Sequence, residues 1–134
     1  MVMHSIRIRG YHTDSYGHVN HARYLEFLED ARWAVFEQHN MLPDPKQLIL
    51  VVSHIDIRYL RSAKAGDTVQ ITTVVKHLAP CQIVLNQTVY LENGKTAAAA
   101  EVTLISVDPQ TSRSIDLPET IADFLRTYQP EKAS

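Results

Sequence analysis

The nine residues His12-Thr13-Asp14-Ser15-Tyr16-Gly17-His18-Val19-Asn20, with the run from His21 to Leu42 that follows them, decide how this chain folds. The first piece is rich in turn formers, whose short polar side chains and glycine suit a tight reversal. The second holds neither Gly nor Pro. Within it Leu25, Leu28, Ala31, Arg32, Val35, Phe36 and His39 recur at three-and-four spacing, which brings them to one face of a helix. Phe27 and Trp33 add apolar bulk on the flanks, so the spacing predicts a helix wrapped by other structure. Asn20 is placed to cap it, because a short side-chain oxygen accepts from the free N–H groups of the first turn. Pro43 and Pro45 are its expected stop.

Upstream, His4 to Tyr11 alternates apolar and polar residues with period two, the pattern of a strand buried on one face. Downstream, Ile49 to Arg61, Thr68 to His77, Gln82 to Leu91 and Thr96 to Val107 are dense in Val, Ile, Thr and Tyr and read as four strands. Ala65-Gly66-Asp67, Ala79-Pro80 and Glu92-Asn93-Gly94-Lys95 separate them, the last being a strong hairpin signal. Short turns join antiparallel neighbours. From Pro118 to Tyr128 helical spacing returns through Ile121, Phe124 and Leu125, with Pro118 suited to the first turn. This order predicts an α+β fold in which a curved sheet wraps one long central helix. A lone sheet of this size leaves an edge and a face open, so a homo-oligomer is expected, a dimer or a homotetramer.

A chain of 134 residues fits a single domain over 1–134. Its 45% hydrophobic and 21% charged residues are those of a folded domain and not of a disordered one. A formal net charge of -2 argues against a surface built mainly for nucleic acid. Leu48 to Val52 is the longest aliphatic run and is far too short to span a bilayer, and Met1 to Arg9 has no apolar core of signal-peptide length, so neither membrane insertion nor export is expected. Cys81 is the only cysteine, which rules out an intrachain disulfide and a cysteine zinc site and points to a reducing cytoplasm.

From Tyr11 to Arg32 the sequence Tyr-His-Thr-Asp-Ser-Tyr-Gly-His-Val-Asn-His-Ala-Arg-Tyr-Leu-Glu-Phe-Leu-Glu-Asp-Ala-Arg closely resembles the hotdog thioesterases related to 4-hydroxybenzoyl-CoA thioesterase. Within that family it looks most like the bacterial long-chain acyl-CoA thioesterase III type. The resemblance continues through Val51 to Ala63 and Gly66-Asp67. It implies the hotdog fold and hydrolysis of an acyl-CoA, with coenzyme A as part of the substrate and no separate cofactor. It also implies that the aspartate before the central helix, here Asp14, acts on the thioester carbonyl or its attacking water. The backbone N–H seven residues on, at His21, then polarises that carbonyl.

Physical chemistry supports the same two positions. A helix N-terminus carries unpaired N–H groups and roughly half a positive charge, which favours an oxygen gaining negative charge. A carboxylate one short loop earlier reaches the same carbonyl, and because a thiolate leaves readily a single carboxylate suffices. The competing reading of Asp14 is an Asx-turn or helix-capping residue; the Asp-x-x-Gly-His-Val-Asn context favours chemistry. His18 either orients Asp14, lines the pocket or is satisfied by backbone groups. Tyr24 and Glu29 face the pocket or a partner subunit, with packing the preferred role for Tyr24 and an ion pair for Glu29. Arg58, Arg61 and Lys64 form a basic cluster at the end of the second strand, solvated surface by default and a holder of coenzyme A phosphates as the sharper reading.

Other chemistries lack their signatures. His18-x-x-His21 has neither a third ligand nor an HExxH pattern, so no metal is expected. There is no Gly-x-Ser-x-Gly elbow, phosphate loop or dinucleotide fingerprint. Cys81 reads as a half-buried structural thiol. The alternatives to an acyl-CoA hydrolase are a thioesterase for acyl carrier protein and a non-catalytic acyl-CoA binding module.

Overall fold

In the computed structural model, which describes residues 3–130, the chain runs β1 (Met3–Arg7), α1 (His21–Gln38), β2 (Ile49–Tyr59), β3 (Thr68–Leu78), β4 (Gln82–Tyr90), β5 (Thr96–Val107) and α2 (Glu119–Arg126). Met1 and Val2, read with Met3–Arg9 for a signal-peptide core, lie outside the described residues, as do the last four residues of the domain expected over 1–134. The strands form one sheet in the order β1-β3-β4-β5-β2, and every pair is antiparallel.

Period-two alternation gives the sheet its two faces. On one face Val75, Leu85 and Val102 stand in register, as do Thr73, Gln87 and Ala100, and all six are buried. Across this face α1 lays Tyr24, Phe27, Leu28, Ala31, Arg32, Val35 and Phe36. Each large apolar side chain so buried contributes roughly 1.5–3 kcal/mol, which outweighs the marginal stability of an isolated helix of this length. The helix is therefore held by its packing. Phe124, Leu125 and Tyr128 of α2 and the turn after it close one end of the core, Phe124 stacking on Phe36 with ring centroids 5.8 Å apart.

Three expectations are corrected. The first strand ends at Arg7 rather than Tyr11: Ile8 N–H turns to Asp67 O at 2.8 Å, and Gly10–His12 makes a 3-10 turn. The central helix stops at Gln38, before the prolines, because Asn40 takes a left-handed conformation (φ 55°) that asparagine tolerates better than most residues. Met41 N–H then bonds back to Phe36 O at 2.9 Å. Nor is the helix wrapped on every side: Leu25 is 37% and Trp33 46% exposed. Trp33 sits toward β2, which lies at the rim of the sheet and pairs only with β5 among the described residues. No helix of the described residues is long and apolar enough to cross a membrane.

Candidate active site

The loop before α1 is a small hairpin. Gly17 adopts φ +77°, a region open to glycine without steric cost, and this lets the chain reverse so that Asp14 N–H meets His18 O at 2.8 Å and Thr13 pairs with Val19. The hairpin is stitched to its surroundings. Val19 N–H donates to Ala63 O at 3.0 Å, Asn20 N–H donates to His12 O at 2.9 Å, and His18 pairs with Lys64.

Within this frame the Asp14 carboxylate has two unlike oxygens. Oδ1 accepts from Tyr16 N–H at 2.9 Å and from His18 N–H at 3.2 Å, an Asx-type turn. Oδ2 has no partner among the described residues, and the side chain is exposed. The turn-former reading and the chemical reading of Asp14 are thus compatible: one oxygen anchors the loop and the other remains available.

The helix start divides its donors in a similar way. Asn20 Oδ1 accepts from Ala22 N–H and Asn20 O from Arg23 N–H, both at 2.9 Å, as an N-cap should. His21 N–H, in the first position, is left without a partner among the described residues, and the helix itself has none to offer it. Tyr59 fixes this turn from the end of β2. Its hydroxyl donates to His21 O at 3.1 Å, and its ring lies 5.6 Å from that of Tyr24. Sequence reasoning missed Tyr59. The Ile55, Ile57, Tyr59 alternation was the available signal, since it puts the tyrosine on the helix-facing side.

The remaining site candidates do not all converge. His18 touches Asp14 through its main chain, while its side chain is exposed. Tyr24 is 3% exposed and packs against Tyr59 and Phe27, a core position that supports the helix start from beneath; burial raises its phenol pKa, and the Ala63 backbone works against that shift. The expected basic cluster is dispersed. Arg58 lies on the outer sheet face beside Asp56 and Glu101, Arg61 donates to Thr96 O at 3.1 Å, and Lys64 alone adjoins the Asp14 loop. Successive strand residues alternate in direction, so Arg58 cannot share the face of Tyr59. Cys81 Sγ lies 3.2 Å from Asp116 Oδ1; its thiol pKa is raised, first by that hydrogen bond, which holds it protonated.

From this site β2 follows α1, Tyr59 standing beside His21 and Leu50 and Val52 beside Trp33 and Phe36. A bulge at Ser53, where the register shifts between Val52 and His54, resets the alternation so that Leu50, Val52, Ile55, Ile57 and Tyr59 all face the helix side. Opposite His21 stands Tyr59. At the other end Glu29, Arg32, Trp33 and Phe36 of α1 and Leu50 and Val52 of β2 enclose a cavity of about 140 Å³. The Arg32 guanidinium reaches over the sheet there: Nη1 donates to Gln87 Oε1 at 3.0 Å, and Gln87 Nε2 donates to Leu28 O and Thr73 Oγ1, both at 3.0 Å. Gln87 sits between the apolar, helix-facing Leu85 and Val89, so a polar residue at a core position was the sequence signal for this network.

A curved antiparallel sheet carrying one long helix on its inner face is the hotdog fold. Residues 8–125 match the model of the Thioesterase-like superfamily, and the chain belongs to that superfamily. It is 38% identical to the long-chain acyl-CoA thioesterase FadM of Escherichia coli strain K12 over 123 residues, 90% of this chain and 93% of that protein. It is 30% identical to the acyl-CoA thioesterase YbgC of Helicobacter pylori over 130 residues, covering 90% and 98% of the two chains. The crystal structure of YbaW from Escherichia coli superposes with a TM-score of 0.82 at 34% identity, over 97% of this chain and all of that one.

Proposed function

We propose that the protein hydrolyses fatty acyl-CoA thioesters to free fatty acid and coenzyme A. The observation that carries the reading is the pair of groups at the loop–helix junction that have no partner among the described residues: Oδ2 of the exposed Asp14 carboxylate and the N–H of His21. The acyl-CoA thioesterases FadM and YbgC, to which the chain is similar, supply the substrate class.

In the proposed mechanism the thioester oxygen sits on His21 N–H, where the helix dipole favours the negative charge that builds up as the carbonyl carbon becomes tetrahedral. Asp14 takes a proton from the attacking water, or attacks the carbonyl itself before water releases the acyl group. Either way the C–S bond breaks, the coenzyme A thiolate leaves and is protonated, and the acid is released. His18 positions Asp14 through its backbone N–H, and no cofactor is required. The helix-facing Ile57, Ile55 and Val52 of β2 lead from Tyr59 toward the Arg32 pocket and offer an acyl chain an apolar groove. Lys64 is the best placed of the basic residues to meet a coenzyme A phosphate; Arg58 and Arg61 stand farther round.

The site opens on the surface of the single chain, next to the unpaired rim of β2 and the exposed Leu25 and Trp33. A second copy pairing along this rim closes the groove, and the protein acts as a homo-oligomer, a dimer or a tetramer, in the cytoplasm. The deciding experiment is a steady-state screen of acyl-CoA and acyl carrier protein esters of graded chain length, reading free thiol, with light scattering on the same sample. Hydrolysis of fatty acyl-CoA by an oligomer is expected. Ligand binding without turnover would replace the enzyme with a binding module, and an active monomer would remove the second copy.

A further inference from the structure

The far end of the groove carries a feature that an apolar acyl chain does not need. Arg32 is 9% exposed and always charged, and its pKa is lowered by burial and raised by the neighbouring Glu29. The described residues give its five donors one acceptor, Gln87 Oε1. The other nitrogens are not sealed in, because the one wholly buried side-chain polar atom without a partner among the described residues is the Ser106 hydroxyl. Arg32 lines the cavity, whose wall is otherwise apolar except for Glu29. Glu29 is exposed and among the described residues accepts only a long bond of 3.4 Å from Trp33 Nε1. The cavity thus presents a cation that donates and, one helical turn away, a carboxylate that accepts.

We propose, on the acyl-CoA hydrolase reading above, that this cavity receives an oxygenated end of the acyl chain, specifically a hydroxyl that accepts from Arg32 and donates to Glu29. A hydroxyl is a small neutral group with both capacities. A plain methyl end leaves the Arg32 donors without a partner, and a terminal carboxylate meets the charge of Glu29. The volume, about 140 Å³, matches that of cavities known to admit a benzene-sized group, so the last few carbons and the hydroxyl fit together. Reach also agrees. Arg32 lies eleven residues beyond His21 on α1, about 16 Å at the α-helical rise, the span of a medium to long extended acyl chain. Arg32 and Glu29 are specificity residues in this assignment and take no part in the chemistry at Asp14.

The test compares kcat/KM for dodecanoyl-CoA and ω-hydroxydodecanoyl-CoA, and for the hexadecanoyl pair, with the ω-carboxyl analogues as a third arm. The parent enzyme should prefer the hydroxylated member of at least one pair by about ten-fold, the scale of one hydrogen bond to a charged group. That ratio should fall toward one in Arg32→Met and in Glu29→Gln, whatever happens to absolute rates; if the Arg32 variant does not fold, exposed Glu29 still gives the answer. Equal use of hydroxylated and plain chains by the parent overturns the proposal while leaving the thioesterase reading intact. So does a preference that survives both substitutions, or one for the ω-carboxyl analogue. If none of the acyl-CoA esters is hydrolysed, the reading beneath the proposal falls with it.

Discussion

The two ends of α1 handle polar groups in opposite ways. At its N-terminus the groups proposed to do the chemistry are an exposed carboxylate and a main-chain N–H, arranged by a nine-residue loop that is nearly all local hydrogen bonding. Toward its C-terminus the polar group is a buried guanidinium held by a glutamine from the centre of β4, fifty-five residues away in sequence. The first arrangement costs little to build because water solvates what the protein leaves free. The second requires a charge to leave water, which is tolerated when the charge is hydrogen-bonded. The proposed chemistry thus sits where polar groups are inexpensive to expose, and the proposed discrimination between substrates where an unmatched polar group is costly.

The sharpest way to break this contrast is at Asp14. Asp14→Asn keeps an acceptor for the N–H groups of Tyr16 and His18 and removes the charge, so the loop should persist while turnover falls on the order of 10² to 10⁴. Thermal melting and steady-state rates on the same sample check it, and near-parental turnover would falsify the assignment. The helix start comes next. His21→Pro deletes the N–H at a position whose backbone suits proline, and turnover should drop about 10² to 10³ with a smaller change in KM. His21→Ala keeps the donor and should stay near the parent. Equal losses in the two variants would move the work to the imidazole.

At the other end the expected effect is on stability. Gln87→Leu removes the one acceptor that the described residues offer the Arg32 side chain and takes the amide donor from the Thr73 hydroxyl, at a cost of about 2 kcal/mol in urea unfolding. A cost under about 0.5 kcal/mol would mean that the cavity already satisfies the guanidinium and that the contrast between the ends is weaker than drawn. The smallest effect belongs to Tyr59→Phe, which keeps the ring against Tyr24 and loses only the bond to His21 O. About 0.5–1 kcal/mol of stability and a few-fold loss of turnover are expected. Unchanged rates with lowered stability would make Tyr59 a brace for the helix and nothing more.

The sequence by itself determined the element order, the loop–helix junction and the cap. Alternation, three-and-four spacing and turn chemistry are local properties, and the hydrogen bonds of Asp14 and Gly17 and the side-chain cap of Asn20 close within a few residues. It also carried the family resemblance, because the block that marks it most specifically, Tyr11 to Arg32, is one stretch of chain. Tertiary structure alone decided the rest. Arg58 and Tyr59 are neighbours in sequence, yet pairing with Ala99 and Ala98 of β5 sends them to opposite faces of the sheet. The bulge at Ser53 turns Leu50 and Val52 to the same side as Ile55 and Ile57, a change of register that no local pattern announces. Arg32 appeared in the sequence as one polar residue in an apolar stripe. Only the folding of β4 beneath it supplied Gln87, because the desolvation of a charge is set by everything packed around it and not by its neighbours along the chain.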